Sequence, residues 1–319
     1  MQEDLFGTLV IYPENVKQIV ISDLSIKVSE LFYSLQGEGR YMGVPSVFLR
    51  TYGCNFQCRG FGMPKGELSK EAEEVAIMHA MHPFKKYEEL PLVSTGCDSY
   101  ASWHPDFKHL SPMMEVKGIV EHMHSLIPHN KWSTDPVSDD VHLVITGGEP
   151  LLGWQRAYEE LLSHPKMANL KNITFETNGT QKLHSDFRHY LLDWTLNPRG
   201  GIGRRGKDAL TFSVSAKLSA SGESREDAIK PEIVKSYQDI GHTYLKFVVE
   251  TDEHINEAIY ATRSFRDGGF KGNVYLMPQG GIVKPYEANK LRIANICCEQ
   301  GWNYSPRLHV DLWGNGWGK

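Results

Sequence analysis

The chain is 319 residues long, 40% hydrophobic and 11% aromatic, enough to bury a sizeable core and to exclude a disordered or fibrous protein. Its 34 basic against 39 acidic residues leave a formal charge of -5, which argues against direct binding to nucleic acid or to an anionic membrane surface. No stretch approaches the roughly 18 apolar residues of a membrane span, the first 25 residues lack the pattern of a signal peptide, and five cysteines in so large a chain point to metal binding or burial in a reducing cytoplasm rather than to disulfides.

Residues 1–24 fit no regular pattern and read as an N-terminal extension. Short segments rich in β-branched and aromatic residues then alternate with segments of helical period. Strands are expected at 26–33, 46–52, 141–146, 172–176, 211–215, 243–249, 273–277 and 307–310. In 111–127, Ser111 and Pro112 look like a helix start, with Met114, Ile119, Met123 and Leu126 near one face. Further helices are expected at 153–163, 230–240, 253–267 and 285–300. Repeated strand, loop and helix predict an α/β fold with a full or partial barrel, where function gathers on the loops after the strands.

Two other regions fit the alternation poorly. Residues 59–94 contain "SKEAEEVAIMHAMH", a short helix with Ser69 as cap and Glu71 and Glu73 near its positive end. Residues 196–209, "LNPRGGIGRRGKDA", are Gly-rich and basic, a solvated loop or a flexible cover over an anionic substrate.

The cysteines raise the sharpest question. "GCNFQCRGFGMPKG" (53–66) places Cys54 and Cys58 in a C-x3-C spacing, yet Phe61 stands where a third thiolate would fall. Past the helical segment comes "STGCDSYASW", with Cys97 beside Asp98 and Ser99. Lengthening the intervening loop from 2 to 38 residues costs about 2.6 kcal/mol in closure entropy, which several iron–thiolate bonds outweigh. Separation in sequence is thus no obstacle to Cys97 meeting the other two, and zinc completed by His104 or His109 remains open. Adjacent Cys297 and Cys298 cannot both face one site and read as core residues.

Other motifs end strands with chemistry: "VITGGEP" (144–150), "ITFETNGT" (173–180), "SVSAKLSASGE" (213–223) and "VYLMPQGG" (274–281). A plain strand-to-helix turn would also explain GGEP. In "FYSLQGEGRYMGVPSVFLRTYGCN" (32–55), Arg50 shares a strand face with Ser46 and Phe48, opposite Val47 and Leu49. It can project into a barrel interior or pair with Glu38.

With 59–94 set aside as an insertion, these motifs resemble the 7-carboxy-7-deazaguanine synthases of the radical S-adenosylmethionine superfamily, from about residue 29 to 314. The resemblance implies one domain over 1–319, a partial (βα) barrel of the radical SAM type. Cys54, Cys58 and Cys97 would hold a 4Fe-4S cluster whose open iron chelates S-adenosylmethionine. An electron would then release the 5'-deoxyadenosyl radical. Gly147, Gly148, Glu149, Thr177, Asn178, Ser215, Lys217 and Gln279 would line the cofactor pocket, although Ala216 departs from a frequent proline. Gln36, Glu38, Arg50 and His309 would bind substrate, and the Ser99 hydroxyl, usually a threonine, a magnesium ion. The implied reaction converts 6-carboxy-5,6,7,8-tetrahydropterin to 7-carboxy-7-deazaguanine with loss of ammonia, for queuosine-type pathways. A flavodoxin-like electron donor and a homodimer are the implied partners. A glycyl-radical activase, or a degenerate barrel holding zinc or nothing, would share the cysteines and the GGEP turn but leave Gln36, Glu38 and Arg50 without a reason.

Overall fold

A computed structural model describes residues 24–133, 140–196, 205–280 and 282–319. Its strands in chain order are β1 (Ser25–Leu35), β2 (Pro45–Thr51), β3 (Met113–Glu115), β4 (His142–Gly147), β5 (Ile173–Thr177), β6 (Leu210–Val214), β7 (His242–Val249), β8 (Val274–Pro278) and β9 (Asn303–Tyr304). The helices are α1 (Glu71–Met81), α2 (Val116–Leu126), α3 (Gln155–Ser163), α4 (Ser185–Leu196), α5 (Arg225–Ala228), α6 (Pro231–Ile240), α7 (Asp252–Asp267), α8 (Val283–Gln300) and α9 (Leu308–Trp313). No helix among the described residues is long and apolar enough to cross a membrane.

The strands form one open sheet in the order β3-β1-β2-β4-β5-β6-β7-β8-β9. From β2 through β9 the neighbours are parallel, whereas β1 runs antiparallel to β2 and β3. Consecutive parallel strands connected by helices curl the sheet into a partial barrel, α/β in class.

Alternation along each strand decides what lies inside and outside. Val47 and Leu49, Leu143 and Ile145, Phe175, Phe212, and Leu245 and Phe247 belong to the main core beneath the helices. Their neighbours in sequence, Phe48 and Arg50, Val144 and Thr146, Glu176, and Lys246 and Val248, line the concave face. Side-chain period two thus places charge on one surface of strands whose other surface is largely apolar. Register reinforces this: Arg50 lies beside Glu30 across β1 and β2, and beside Thr146 across β2 and β4.

Seven of the eight expected strands are present, displaced by no more than two residues at either end. Two expectations are corrected. Residues 307–310 belong not to a strand but to the start of α9, and the last strand is the shorter β9. The helix expected from 111 begins at Val116, because Met113–Glu115 pairs with the open edge of β1 and Pro112 accepts the Val28 N–H. Sheet pairing overrides the local helix-start signal there. Helices α4, α5 and α9 had no counterpart in the sequence reading. The N-terminal extension before Leu24 and positions 197–204 of the basic stretch lie outside the described residues.

Residues 59–94 form a layer of their own. Val75, Ala76, Tyr87, Leu90 and Val93 bury a second apolar cluster with Tyr100, Ala101 and Phe107. Helix α1 starts one residue later than a Ser69 cap implies, since Lys70 holds the capping position. Ser69 Oγ still accepts the Glu71 N–H at 3.2 Å. Glu71 turns back to accept from the backbone N–H groups of Ser94 and Thr95, and Glu73 pairs with Arg59 at 3.1 Å. Helix-start acids therefore close the two ends of this segment onto each other.

Candidate active site

That closure brings the two parts of the divided cysteine loop back to one cavity. Gly96 donates to the Phe61 carbonyl at 2.7 Å and Ser69 to the Arg59 carbonyl at 2.7 Å. The chain leaves the barrel after Cys58 and returns beside its departure point just before Cys97. Cys54, Cys58 and Cys97 all line one cavity of about 280 Å³, within an apolar collar of Phe56, Phe61 and Ala228. Burial pushes the Cys54 thiol up to about 12 and the Cys97 thiol up to about 11, and holds Cys58 well above the ordinary thiol value. Without a metal these are buried thiols; a bound cation would supply the charge needed to deprotonate them.

Three cysteines lining one cavity are a donor set that suits an iron–sulfur cluster, which is held by thiolates. Among the described residues no three His, Cys, Asp or Glu side chains close on a single ion. His104 Nδ1 faces the Asp106 N–H, and His109 stacks on His79 with its Nδ1 at 2.9 Å from the Asp106 carbonyl. Neither histidine lines the cavity. Cys297 is buried against the main core, as expected, but Cys298 is exposed on α8 rather than packed inside.

The GGEP turn abuts the cysteine loop directly. Glu149 N donates to the Gly53 carbonyl at 2.8 Å and Gly148 N to the Thr51 carbonyl at 3.2 Å. A Cβ on Gly148 would stand 2.4 Å from the Gly53 oxygen and 2.7 Å from Cys54 Cβ. Gly148→Ala is therefore expected to push Cys54 out of position, destabilising the fold by about 1–3 kcal/mol and lowering iron uptake; urea melts and iron content check both. Glu149 lies under the turn instead of in the cavity. Its carboxylate accepts from Thr177 Oγ1 (2.8 Å), Asn178 N (2.7 Å) and Leu151 N (3.0 Å). Burial pushes it up to about 7, and these hydrogen bonds offset only part of that. Glu149 thus ties the turn to the end of β5.

Thr177, Asn178, Ser215, Lys217 and Gln279 line the same cavity. Asn178 Nδ2 donates to Asn55 Oδ1 at 2.9 Å, and Lys217 Nζ to Ser215 Oγ at 3.0 Å. The Gln279 amide bridges Glu250 (2.7 Å) and the Gly62 N–H (2.6 Å), linking β8 to the 59–94 segment.

The same cavity holds a charge network that reaches Asp98 and Ser99, next to Cys97. Gln36, Glu38, Arg50, Ser99 and His309 are all in it or beside it, but the alternative pairing of Arg50 with Glu38 is not formed. Arg50 Nε donates to Glu30 at 2.7 Å and its Nη1 to Ser99 Oγ at 3.0 Å. Glu38 instead meets Lys246 and Arg307. Lys246, only 2% exposed, also reaches Glu176 at 3.0 Å. Gln36 Nε2 donates to the other oxygen of Glu176 at 3.2 Å, and Arg307 pairs with Asp98. Burial alone would raise Glu38, but Lys246, Arg307 and His309 hold it well below the usual carboxylate range. Burial and the neighbouring Arg307 lower His309 to about 4, so its imidazole is neutral near pH 7.

Sequence reasoning missed Glu30, Asp98, Glu176, Lys246 and Arg307. A signal existed for Lys246, a lone charge in the apolar run "TYLKFVV". It also missed the C-terminal wall: Trp317 Nε1 donates to the Leu90 carbonyl at 2.8 Å, its ring meets Tyr87 edge-on at 4.9 Å, and Gly318 N donates to Glu30 at 3.0 Å. Residues 315–319 thereby close one side of the cavity against the 59–94 segment.

No family model matches the chain. It is 28% identical over 297 residues to the 7-carboxy-7-deazaguanine synthase of Halobacterium salinarum, covering 91% of each chain. It is 27% identical to the synthase of Rhodopirellula baltica, over 92% of this chain and 89% of that one, and 26% identical to the synthase of Pyrobaculum aerophilum, over 92% and 97%. The fold is similar to the crystal structure of QueE from Escherichia coli, with a TM-score of 0.50 at 17% identity, over 89% of this chain and 95% of that one. Similarity to 7-carboxy-7-deazaguanine synthases thus runs nearly the full length of the chain, and the cysteine loop, the GGEP turn and the QGEG segment that carry it line one cavity.

Proposed function

We propose that this cavity converts 6-carboxy-5,6,7,8-tetrahydropterin to 7-carboxy-7-deazaguanine with loss of ammonia. The observation that carries the reading is the juxtaposition of three cysteines with a charged pocket of matching chemistry in one cavity. Cys54, Cys58 and Cys97 would hold the 4Fe-4S cluster, and the Gly147–Gly148 turn with Thr177, Asn178, Ser215, Lys217 and Gln279 would enclose S-adenosylmethionine. When bound, the pair supplies the electron that cleaves the sulfonium and the radical that removes hydrogen from substrate C6.

The chain's own residues do the rest. Glu38 and Glu176, both kept near the ammonium of Lys246, offer carboxylate acceptors to the donor-rich edge of the pterin, with Gln36 beside them. Arg50, already held side-on by Glu30, has a planar fork suited to the substrate carboxylate. Neutral His309, 3.9 Å from Glu38, adds a hydrogen-bonding group without charge. The apolar collar and the 315–319 segment exclude water from the reacting centre.

Magnesium does not fit as readily. Ser99 Oγ accepts from Arg50 and one oxygen of the neighbouring Asp98 faces Arg307, so guanidinium groups already compete for the hard oxygens a magnesium ion would use. The residues in this arrangement present no ready magnesium site.

Reduction from outside requires an electron donor, in this proposal a flavodoxin-like protein of the cytoplasm. The homodimer rests on the resemblance alone, and a single-chain mass in sedimentation would remove it. The activity is tested by anaerobic turnover with dithionite, S-adenosylmethionine and the carboxytetrahydropterin. Deazapurine absorbance and the product mass are expected; their absence from cluster-loaded protein would overturn the substrate assignment.

A further inference from the structure

One oxygen of Glu223 accepts two successive backbone N–H groups of the cysteine loop, Gln57 at 2.9 Å and Cys58 at 2.8 Å. Cys58 has a φ of 52°, a left-handed conformation that non-glycine residues adopt only where their surroundings hold them there. Consecutive N–H groups converging on one point make an anion-binding concavity, of the kind that elsewhere receives phosphates or the sulfurs of iron–sulfur clusters. Here a side-chain carboxylate occupies it.

The segment carrying Glu223 is itself fixed against the loop. Ser221 O accepts the Gly60 N–H at 2.9 Å, and Ser221 Oγ accepts the Glu223 N–H at 3.2 Å. Approach there is so close that a Cβ on Gly60 would stand 2.6 Å from Gly222 N and 2.8 Å from the Ala220 oxygen. Upstream, Ser219 N and Oγ are both bound by Glu257 of α7. The clasp therefore ties the cysteine loop at Cys58 and Gly60 to a segment anchored on α7.

We infer that Glu223 is a positioning residue for the iron–sulfur site: it holds Cys58 in its ligating conformation and poises the cluster at low reduction potential. The inference rests on the cluster assignment proposed above. N–H groups donated to cluster sulfurs and distance from negative charge both raise a cluster's potential. Diverting two N–H groups to a carboxylate beside Cys58 does the reverse, which suits a cluster that must reduce a sulfonium.

Full-length Glu223→Gln and Glu223→Ala chains, reconstituted anaerobically beside wild type, test this. Iron and sulfide content, the EPR spectrum of the reduced cluster and a potentiometric titration are the readouts. Glutamine keeps an acceptor and loses the charge, so wild-type iron is expected with at least a tenfold rise in the reduced-to-oxidised ratio at a given potential, about 59 mV for a one-electron couple. Alanine is expected to lose half or more of the iron and to change the spectrum of what remains. Should alanine prevent folding, judged by melting of the metal-free chain, the glutamine variant decides alone. A wild-type potential and spectrum in the glutamine variant would overturn the inference while leaving the cluster assignment intact. Wild-type protein that takes up no cluster would overturn both.

Discussion

Cys97→Ala is expected to abolish cluster assembly as completely as Cys58→Ala, whereas Cys297→Ala leaves it untouched. The reason is geometric. Closure of residues 59–94 through Glu71, Ser69 and Gly96 returns the chain to the cavity at Cys97, so a 38-residue detour costs far less order than a free loop would. Cys297 lies on α8 with its sulfur 3.4 Å from the Asn303 carbonyl, packed in the main core. Anaerobic reconstitution with iron and sulfide should give about four irons per chain for wild type and Cys297→Ala, and background levels for the other two. Full iron in Cys97→Ala would remove the third ligand from the site and the radical chemistry with it. A second arm follows from the same closure: Glu71→Ala should reduce iron uptake in part, because it frees the ends of the segment without deleting a ligand.

Lys246→Met is expected to destroy turnover while sparing the cluster. Lys246 is the cation shared by Glu38 and Glu176, and its removal leaves two carboxylates facing one another in a buried site. Removing one member of a buried charge network typically costs about 3–5 kcal/mol, and here it falls mainly on Glu176, which keeps only the Gln36 amide, whereas Glu38 keeps Arg307. One carboxylate would respond by taking up a proton. It would then present a donor where the pterin edge needs an acceptor. The pH dependence has a definite sign. In wild type the depressed Glu38 value means its contribution to stability is present above the ordinary carboxylate value of 4.5 and is lost only as pH falls through the lower folded value. In Lys246→Met that loss should begin at higher pH. Urea melts across acid pH, iron content and substrate titration separate the effects. Adding Glu176→Gln to Lys246→Met should recover part of the stability by removing one of the opposed charges, a coupling that a double-mutant cycle reads. Unchanged substrate binding in Lys246→Met would show that the carboxylates do not face the pterin.

Both predictions concern places where distant stretches of chain meet, and this marks the boundary of what the sequence made legible. The strands from β4 to β8 were readable because each is an apolar run of the right length bounded by turn residues, and the face of Arg50 followed from period two alone. Motifs that end those strands could be named for the same reason: a parallel sheet of βα units brings all its strand ends to one rim, so GGEP, ETNG and SAK had to be neighbours whatever their separation.

Other features had no local cause. Met113–Glu115 carries a helix-start signal and forms a strand because an unpaired edge of β1 is available to it. Residues 307–310 alternate like a strand and coil into α9 because the sheet ends at β9. The partner of Arg50 is Glu30 rather than Glu38, since Glu30 is its cross-strand neighbour in register while Glu38 has been taken by Lys246 and Arg307.

By itself the sequence determined the α/β alternation, the apolar and charged faces of the strands, the three cysteines and the motif-bearing strand ends, because all of these depend on residue type and short-range period. Only the tertiary structure decided that Cys97 rejoins its companions, that Lys246 serves two carboxylates, that Glu223 holds Cys58, and that Trp317 walls the cavity. These depend on which surfaces remain open once the strands have paired, and no window along the chain contains that information.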